Sequence, residues 1–559
     1  MKTGIAWNKP KSARRIVSRK NKPTLELGSL ASYFSSKLSG SKNLTVQKLR
    51  QYPIFILLIA NLVVGIFTFQ HYGLSWDEPL FYDYADALRY AYSPQEWFSG
   101  NFNLENAYGS SGTDHANRGP AYIVLARPIV SVIELLGADN ASAWHLVNFF
   151  TFQLGVYLLY RLARRWISDP AALAAAALFA WQPLLWGHAF INPKDPPFLV
   201  FFLGSVCFGF EMIDVDSKDS RKSLWSVLLA AFFLGIATSI RVLGPLAGIF
   251  VGIYALIHIK KPGLFRQLVG YAVFAVLVAF LVWPYLWENP LQQFIKVFGF
   301  MSENPTHLSV LFNGQVYRAG ELPRRYLPVL LGLTLTEPVP PLFLIGALVA
   351  FWKKIKTYRA QNWVLLTEYF LLLFWFLIPF AYVILRKPPM YDGYRHFLFM
   401  LPPLFIFAGF AFEKIFALFK IRWAAGVLTI LLLMPGIYTS IQLHPYEYAY
   451  YNSFVGGTSG AFRTYETEYW LTCYKEAVEK FNVPNAQLFV KREPHIAAYF
   501  ADENITIRDY RTEFGSIQSG DFVLVNSRTN EDIKTFKDAP VVLQIRRGDA
   551  VFCEIKQIP

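Results

Sequence analysis

Eleven long apolar runs constrain this chain more than any other feature. The first, 52–70, carries no charge and is long enough to cross a hydrocarbon core of about 30 Å. The others fall near 142–163, 171–190, 196–213, 224–240, 243–259, 268–287, 327–352, 363–385, 394–412 and 423–441. With 54% of residues hydrophobic and 17% aromatic, the chain reads as a polytopic α-helical membrane protein of about eleven spans. One further stretch, 120–137, is interrupted by Arg127, Pro128 and Glu134.

A formal net charge of +14 raises nucleic acid as a partner, but the distribution of that charge argues against it. Residues 1–50 hold Lys9, Lys11, Arg14, Arg15, Arg19, Lys20 and Lys22, with Glu26 the only acid. A basic tail ahead of a first span is the mark of a cytoplasmic N-terminus touching anionic lipid. No apolar core follows those charges before Tyr52, so the tail does not read as a cleavable signal. The same rule orients the rest. If 120–137 dips into the outer interface without crossing, then Arg161, Arg164, Arg165, Lys218, Arg221, Lys222, Lys260, Lys261, Arg266 and Lys353 all fall inside. So do Lys354, Lys356, Arg359, Lys414, Lys420 and Arg422. Trp76, Trp144, Trp181, Trp186, Trp283 and Trp287 then gather at outer ends, and Trp166, Trp225, Trp352 and Trp423 at inner ends, as an aromatic belt requires.

This topology collects the polar chemistry on one face. The first outer loop, 71–141, carries Asp77, Glu78, Asp114, His115 and Arg118. Asn192-Pro193-Lys194-Asp195 follows the third span, and Arg241 ends the fifth. The second outer loop, 288–326, carries Glu303, His307, Arg318, Arg324 and Arg325; a last segment runs from Arg386 through Tyr391, Asp392 and Arg395 to His396. Charged groups at span mouths are costly unless they face protein or a wet cavity, so one shared cavity is the economical reading. Taken singly, each fits snorkelling or loop capping equally well. The adjacent carboxylates Asp77 and Glu78, beneath Trp76, suit a general base or a metal ligand; the plainer alternative is a solvated acid that ends a helix.

Beyond 441 the hydropathy falls. Helical spacing at 469–481 precedes β-rich runs at 487–491, 505–508, 522–526, 541–545 and 550–556, which predicts a small extracytoplasmic α/β or α+β domain over 442–559. Cys473 and Cys553 both lie there and could form one disulfide, while Cys207 sits in an apolar run. The tract Val455-Gly456-Gly457-Thr458-Ser459-Gly460 lacks the spacing of a nucleotide loop and reads as a turn from span to domain.

Three stretches resemble the integral-membrane glycosyltransferases of the GT-C fold, in the branch of protein O-mannosyltransferases and the lipid A aminoarabinose transferase. They are Asp77-Glu78 after the first span; Asn192-Pro193-Lys194-Asp195-Pro196-Pro197-Phe198; and a later pair. That pair is Tyr391-Asp392-Gly393-Tyr394-Arg395-His396-Phe397 with His444-Pro445-Tyr446-Glu447-Tyr448, continuing to Glu468-Tyr469-Trp470 and Lys475-Glu476. The resemblance covers roughly 50–480, leaving 51–441 as the transferase domain. One departure stands out: many relatives have a His-Pro-Pro-Leu element where this chain reads Asp114-His115-Ala116-Asn117-Arg118-Gly119-Pro120.

The resemblance implies inverting transfer of a sugar from a polyprenyl-phosphate carrier to a protein, lipid or glycan on the outer face of a bacterial plasma membrane. Sugar nucleotides stay in the cytoplasm, so a transferase facing outward needs a lipid-borne donor. Direct displacement needs a base on the acceptor hydroxyl and positive charge on the departing phosphate. On this likeness Asp77 is the base, with Glu78 orienting it or holding a divalent cation (Mg or Mn). Lys194, Arg241 and Arg395 bind the donor phosphate. Asp195 anchors Lys194 or joins Glu78 at the metal, and His115, His396 and His307 are supporting candidates. Two other classes fit the same composition: a lipid-linked sugar flippase, for which Pro338, Pro340 and Pro341 break one segment, and a non-catalytic envelope-assembly protein that keeps the fold.

Overall fold

Each of the eleven apolar runs is occupied by helix in the computed structural model, which describes residues 53–215, 219–303, 306–355, 362–419 and 422–559. The basic tail expected over 1–50 lies outside the described residues. From Ile56 to Pro559 the chain forms one unit. Six helices are long and apolar enough to cross a membrane, eight if each of two bent pairs counts as one span. The other three runs hold shorter apolar helices, Ile54–Thr68, Pro245–Ile257 and Pro402–Leu418. The interrupted stretch at 120–137 is a fifteen-residue helix, Ala121–Leu135, with Pro128 inside it.

Prolines account for both bends. The run at 171–190, read from sequence as one crossing, is two helices, Asp169–Ala180 and Pro183–Ile191, meeting at 62°. A residue before proline avoids helical ψ, and Gln182 is extended (ψ 112°). The run at 327–352 breaks by 101° between Tyr326–Thr334 and Val339–Trp352, with Leu335 extended ahead of Pro338. Breaking a helix frees backbone groups that hydrocarbon cannot satisfy. Here Gln182 Nε2 donates to the Thr334 carbonyl (2.6 Å), and its Oε1 accepts from Thr336 N–H (3.1 Å). Asn452 Nδ2 donates to the carbonyls of Gly332 (2.7 Å) and Leu335 (3.0 Å). The residue that opens the first bend therefore closes the second.

Helices Asn140–Ala163 and Asp195–Asp214 run side by side in the same direction, because Arg161 pairs with Glu211 (2.6 Å) and Arg165 with Asp214 (2.7 Å) at their C-terminal ends. Asp195 is thus held at the opposite end, about 30 Å away along its helix.

In loop 288–326, strands β1 (Ser309–Phe312) and β2 (Gln315–Arg318) form a hairpin around Asn313-Gly314, both at positive φ. The C-terminal sheet comprises β3 (Gln487–Val490), β4 (Thr506–Asp509), β5 (Phe522–Asn526), β6 (Val541–Arg547) and β7 (Ala550–Gln557) in the order β4-β3-β5-β7-β6. β3 is parallel to β4 and β5, and β7 is antiparallel to β5 and β6. All five strands fall on the β-rich runs, within two residues at each end. The expected helix at 469–481 shortens to Cys473–Lys480, since Leu471 sits in the left-handed region (φ 66°). Cys473 and Cys553 are both buried as free thiols rather than joined in the expected disulfide.

Candidate active site

The loop carrying Asp77 is pinned to two distant segments. Ser75 Oγ donates to the Ile191 carbonyl (2.9 Å), and Trp76 N–H to the Trp470 carbonyl (3.2 Å). The first bond sets Asp77 beside the turn at 192–194. Asn192 builds that turn: its Oδ1 accepts the N–H of Lys194 (3.1 Å) and of Asp195 (2.9 Å), and its Nδ2 donates to Asp195 Oδ2 (2.9 Å). Pro196 and Pro197 then start helix Asp195–Asp214, where a missing N–H does no harm and the helix dipole favours a carboxylate. Two glycines permit the close approaches. A Cβ on Gly119 would lie 1.3 Å from the Ser239 carbonyl oxygen, two residues before Arg241. A Cβ on Gly187 would lie 2.3 Å from the backbone nitrogen of Tyr448.

Arg395 gathers three carboxylates. Its Nη1 lies 3.0 Å from Asp77 Oδ2 and 3.2 Å from Asp195 Oδ2, and its Nη2 lies 3.3 Å from Asp392 Oδ2. The guanidinium also stacks over Tyr391 and Trp470, 5.1 Å from each ring centre. Arg241 pairs with the other oxygen of Asp195. Asp392 is fully buried and accepts in addition from Trp470 Nε1 (3.0 Å) and Arg528 Nη1 (2.7 Å). Lys194 sits 5.5 Å over the Phe81 ring; burial, reinforced by Arg241 and Arg118, holds its ammonium well below the ordinary lysine range.

Asp77, Arg118, Lys194, Arg241, Arg395 and His396 line one cavity of about 880 Å³, whose apolar wall includes Leu243, Leu246, Phe298, Phe300, Ile378 and Tyr382. Asp77 is the carboxylate on this lining, facing five cations once Arg386 is counted. Such a cavity suits a ligand with an anionic head, an apolar chain and a group that gives up a proton.

Four sequence-based expectations are corrected. Glu78 is fully buried and does not line the cavity: it accepts from Ser75 N–H and the Tyr82 hydroxyl (2.5 Å each) and lies 2.9 Å from His145 Nε2. Its oxygens close the helix start and meet a histidine, so it neither orients Asp77 nor faces a cation. The metal pair of Glu78 with Asp195 does not fit, because the oxygens of Asp195 are taken by Arg241, Arg395 and Asn192. Among the described residues no group of three or more His, Cys, Asp or Glu is arranged around a metal position. His115 stacks on Tyr84 (4.8 Å) and contacts the Tyr108 carbonyl through Nδ1 (2.8 Å), away from the cavity lining. His307 is likewise off the lining, though its neighbours Thr306 and Leu308 are on it.

Sequence reasoning missed Asp392, Trp470, Arg528 and His145. The first two stood inside quoted motifs without a role, and His145 was hidden in a run read only as apolar. Nothing in sequence marks Arg528, which lies well beyond the motifs.

Residues 124–287 match the family model described as dolichyl-phosphate-mannose-protein mannosyltransferase. The chain is 30% identical over 155 residues to an undecaprenyl phosphate-alpha-4-amino-4-deoxy-L-arabinose arabinosyl transferase of Pseudomonas paraeruginosa, covering 28% of each chain. A homonymous transferase of Pseudomonas fluorescens is 26% identical over 269 residues, 47% of this chain and 44% of that one. The chain therefore spans less than half the length of the curated relatives it matches. Among solved structures, the apo form of ArnT from Cupriavidus metallidurans superposes at a TM-score of 0.48 and 14% identity, over 92% of this chain and 98% of that chain. Residues 124–287, which hold the 192–198 stretch but neither Asp77-Glu78 nor the later motifs, are thus similar to the protein-mannosyltransferase family model and to the aminoarabinose transferases, the branch that the motifs resemble.

Proposed function

We propose that the protein is a glycosyltransferase that moves a sugar from a polyprenyl-phosphate donor to an acceptor hydroxyl, with inversion, on the outer face of a bacterial plasma membrane. The observation that carries this reading is Asp77 opposite Lys194 and Arg241, 3.0 Å from Arg395, in a cavity with an apolar wall. The apolar wall takes the start of the isoprenoid chain, and Lys194, Arg241 and Arg395 take the phosphate. Asp77 accepts the proton of the acceptor hydroxyl as its oxygen attacks the anomeric carbon from the face opposite the phosphate. The bond from anomeric carbon to phosphate oxygen breaks with its electron pair on the phosphate, where the cations balance the gathering charge. The names of the matched transferases favour an undecaprenyl-phosphate carrier over a sugar nucleotide. The reading uses eleven crossings with the N-terminus cytoplasmic, and the C-terminal sheet on the same side as Asp77.

The two bent helix pairs favour a lipid-linked sugar transporter as a second reading, since broken spans build transport sites. Gln182 and Asn452 already satisfy the carbonyls of Gly332, Thr334 and Leu335 at the 101° break, however, so that much of its backbone is occupied by the protein itself. A product assay separates the two. Purified protein in proteoliposomes, given a labelled polyprenyl-phosphate sugar and envelope acceptor fractions, should yield label in a new glycosidic bond and free polyprenyl phosphate. Label that crosses the bilayer still attached to its lipid would establish transport and end the transferase reading.

A further inference from the structure

Arg528 stands on the turn that leaves β5, in a part of the chain that contributes nothing to the cavity lining. Thr529 and Asn530 both take positive φ (53° and 60°), which folds the turn sharply and directs the arginine out of the sheet. The side chain is 1% exposed. Nη1 donates to Asp392 Oδ1 (2.7 Å) and to the Tyr469 carbonyl (2.9 Å), and Nη2 to the Ser309 carbonyl (3.4 Å). The guanidinium carbon lies 4.7 Å over the ring of Trp76, the residue before Asp77. Arg528 therefore reaches Asp77 by two routes: through the Trp76 ring, and through Asp392 to Arg395.

We propose that Arg528 is a positioning residue of the transfer site: by clamping Asp392 and the Trp76 ring, it fixes the fork of Arg395 against Asp77 and makes the C-terminal sheet part of the catalytic unit. The inference rests on the donor and base roles proposed above. Asp392 divides its oxygens, Oδ1 to Arg528 and Oδ2 to Trp470 and Arg395. Without Arg528, a fully buried carboxylate keeps one cation, and Arg395 must neutralise it alone. A planar fork drawn toward Asp392 cannot also hold Nη1 between Asp77 and Asp195. Asp77 then loses the 3.0 Å contact that holds its carboxylate in place. Lysine at 528 keeps the charge but offers a single point, which cannot serve Asp392, Tyr469 and Ser309 together.

The test uses the full chain in proteoliposomes with a labelled polyprenyl-phosphate sugar, comparing wild type, Arg528→Lys, Arg528→Gln, and Arg528→Gln combined with Asp392→Asn. Rates are normalised to folded protein by melting curve. For Arg528→Lys the expectation is a kcat lower by roughly ten- to a hundredfold with a donor KM within about threefold. The double variant should recover most of the turnover lost in Arg528→Gln, because nothing then pulls Arg395 from Asp77. Wild-type kcat in Arg528→Lys would overturn the proposal, as would a loss of turnover fully matched by lost folded protein. If Arg528→Lys does not fold, the double variant decides: a folded, inactive protein overturns the proposal. An inactive wild type would overturn the donor reading and this inference with it, whereas an active wild type with indifferent variants overturns this inference alone.

Discussion

Substituting Asp77→Asn isolates the proton-accepting role, because it removes one charge and almost no shape. Asp77 is one of three carboxylates around Arg395; Asp195 and Asp392 stay at 3.2 and 3.3 Å. Removing the sole partner of a buried charge costs about 3–5 kcal/mol. Here two counter-charges remain and the Asp77 side chain is 24% exposed, so the expected loss of stability is only about 1 kcal/mol. Losing a general base costs about 10²–10⁴ in rate, or about 3–5 kcal/mol of barrier. The two effects therefore separate by assay: a small drop in melting temperature, and a collapse of kcat at saturating donor. Donor KM should hold or fall, since one negative charge leaves a cavity that binds an anion. The measurement is steady-state transfer in proteoliposomes beside a melting curve on the same preparation. A kcat within about threefold of wild type, with coincident melting, would refute Asp77 as the base.

Three further outcomes follow from the geometry. Lys194→Ala should raise donor KM far more than it lowers kcat; and because burial holds this ammonium below the usual lysine range, wild-type donor affinity should start to fall as pH rises well before an ordinary lysine deprotonates, read from polyprenyl-phosphate binding across pH. Gly119→Ala should destabilise by about 1–3 kcal/mol and weaken donor binding, because the new methyl meets the Ser239 carbonyl and displaces Arg241; melting and binding that match wild type would show the turn can yield. Burial raises the Glu466 carboxyl to about 8, so the folded protein keeps a proton that the unfolded chain releases near pH 4–5, and stability falls as pH rises across that window; Glu466→Gln should remove this slope, measured by denaturant melts at both ends of it.

Much of the helical framework was legible because hydrocarbon demands long uncharged runs, and the five strands because short runs rich in β-branched and aromatic residues between turn signals mark buried strands. The bends were less legible: three closely spaced prolines announced the one at 335–338, whereas Pro183 alone did not distinguish an elbow from a helix start. Asp77, Lys194, Arg241, Arg395 and His396 could be singled out as charged or titratable groups at span mouths, and they share the cavity lining. Glu78 has the same chemistry and adjacent sequence, yet faces the other way, since a helix turns by about 100° per residue and adjacent side chains diverge. Asp392 and Arg528 were beyond reach for another reason. Their meaning lies in a contact across 136 positions of sequence, and no local pattern encodes it.

Gln182 has a consequence for how the helical body tolerates change. One amide serves both elbows, so neither can be straightened, lengthened or shifted in register without unseating the other. The pair acts as a hinge whose pin is fixed: it holds two bent rods at a set angle where each alone would be free to flex. Drift at either proline should therefore be tolerated only alongside matching drift across the joint, and Gln182→Ala should loosen both rods at once.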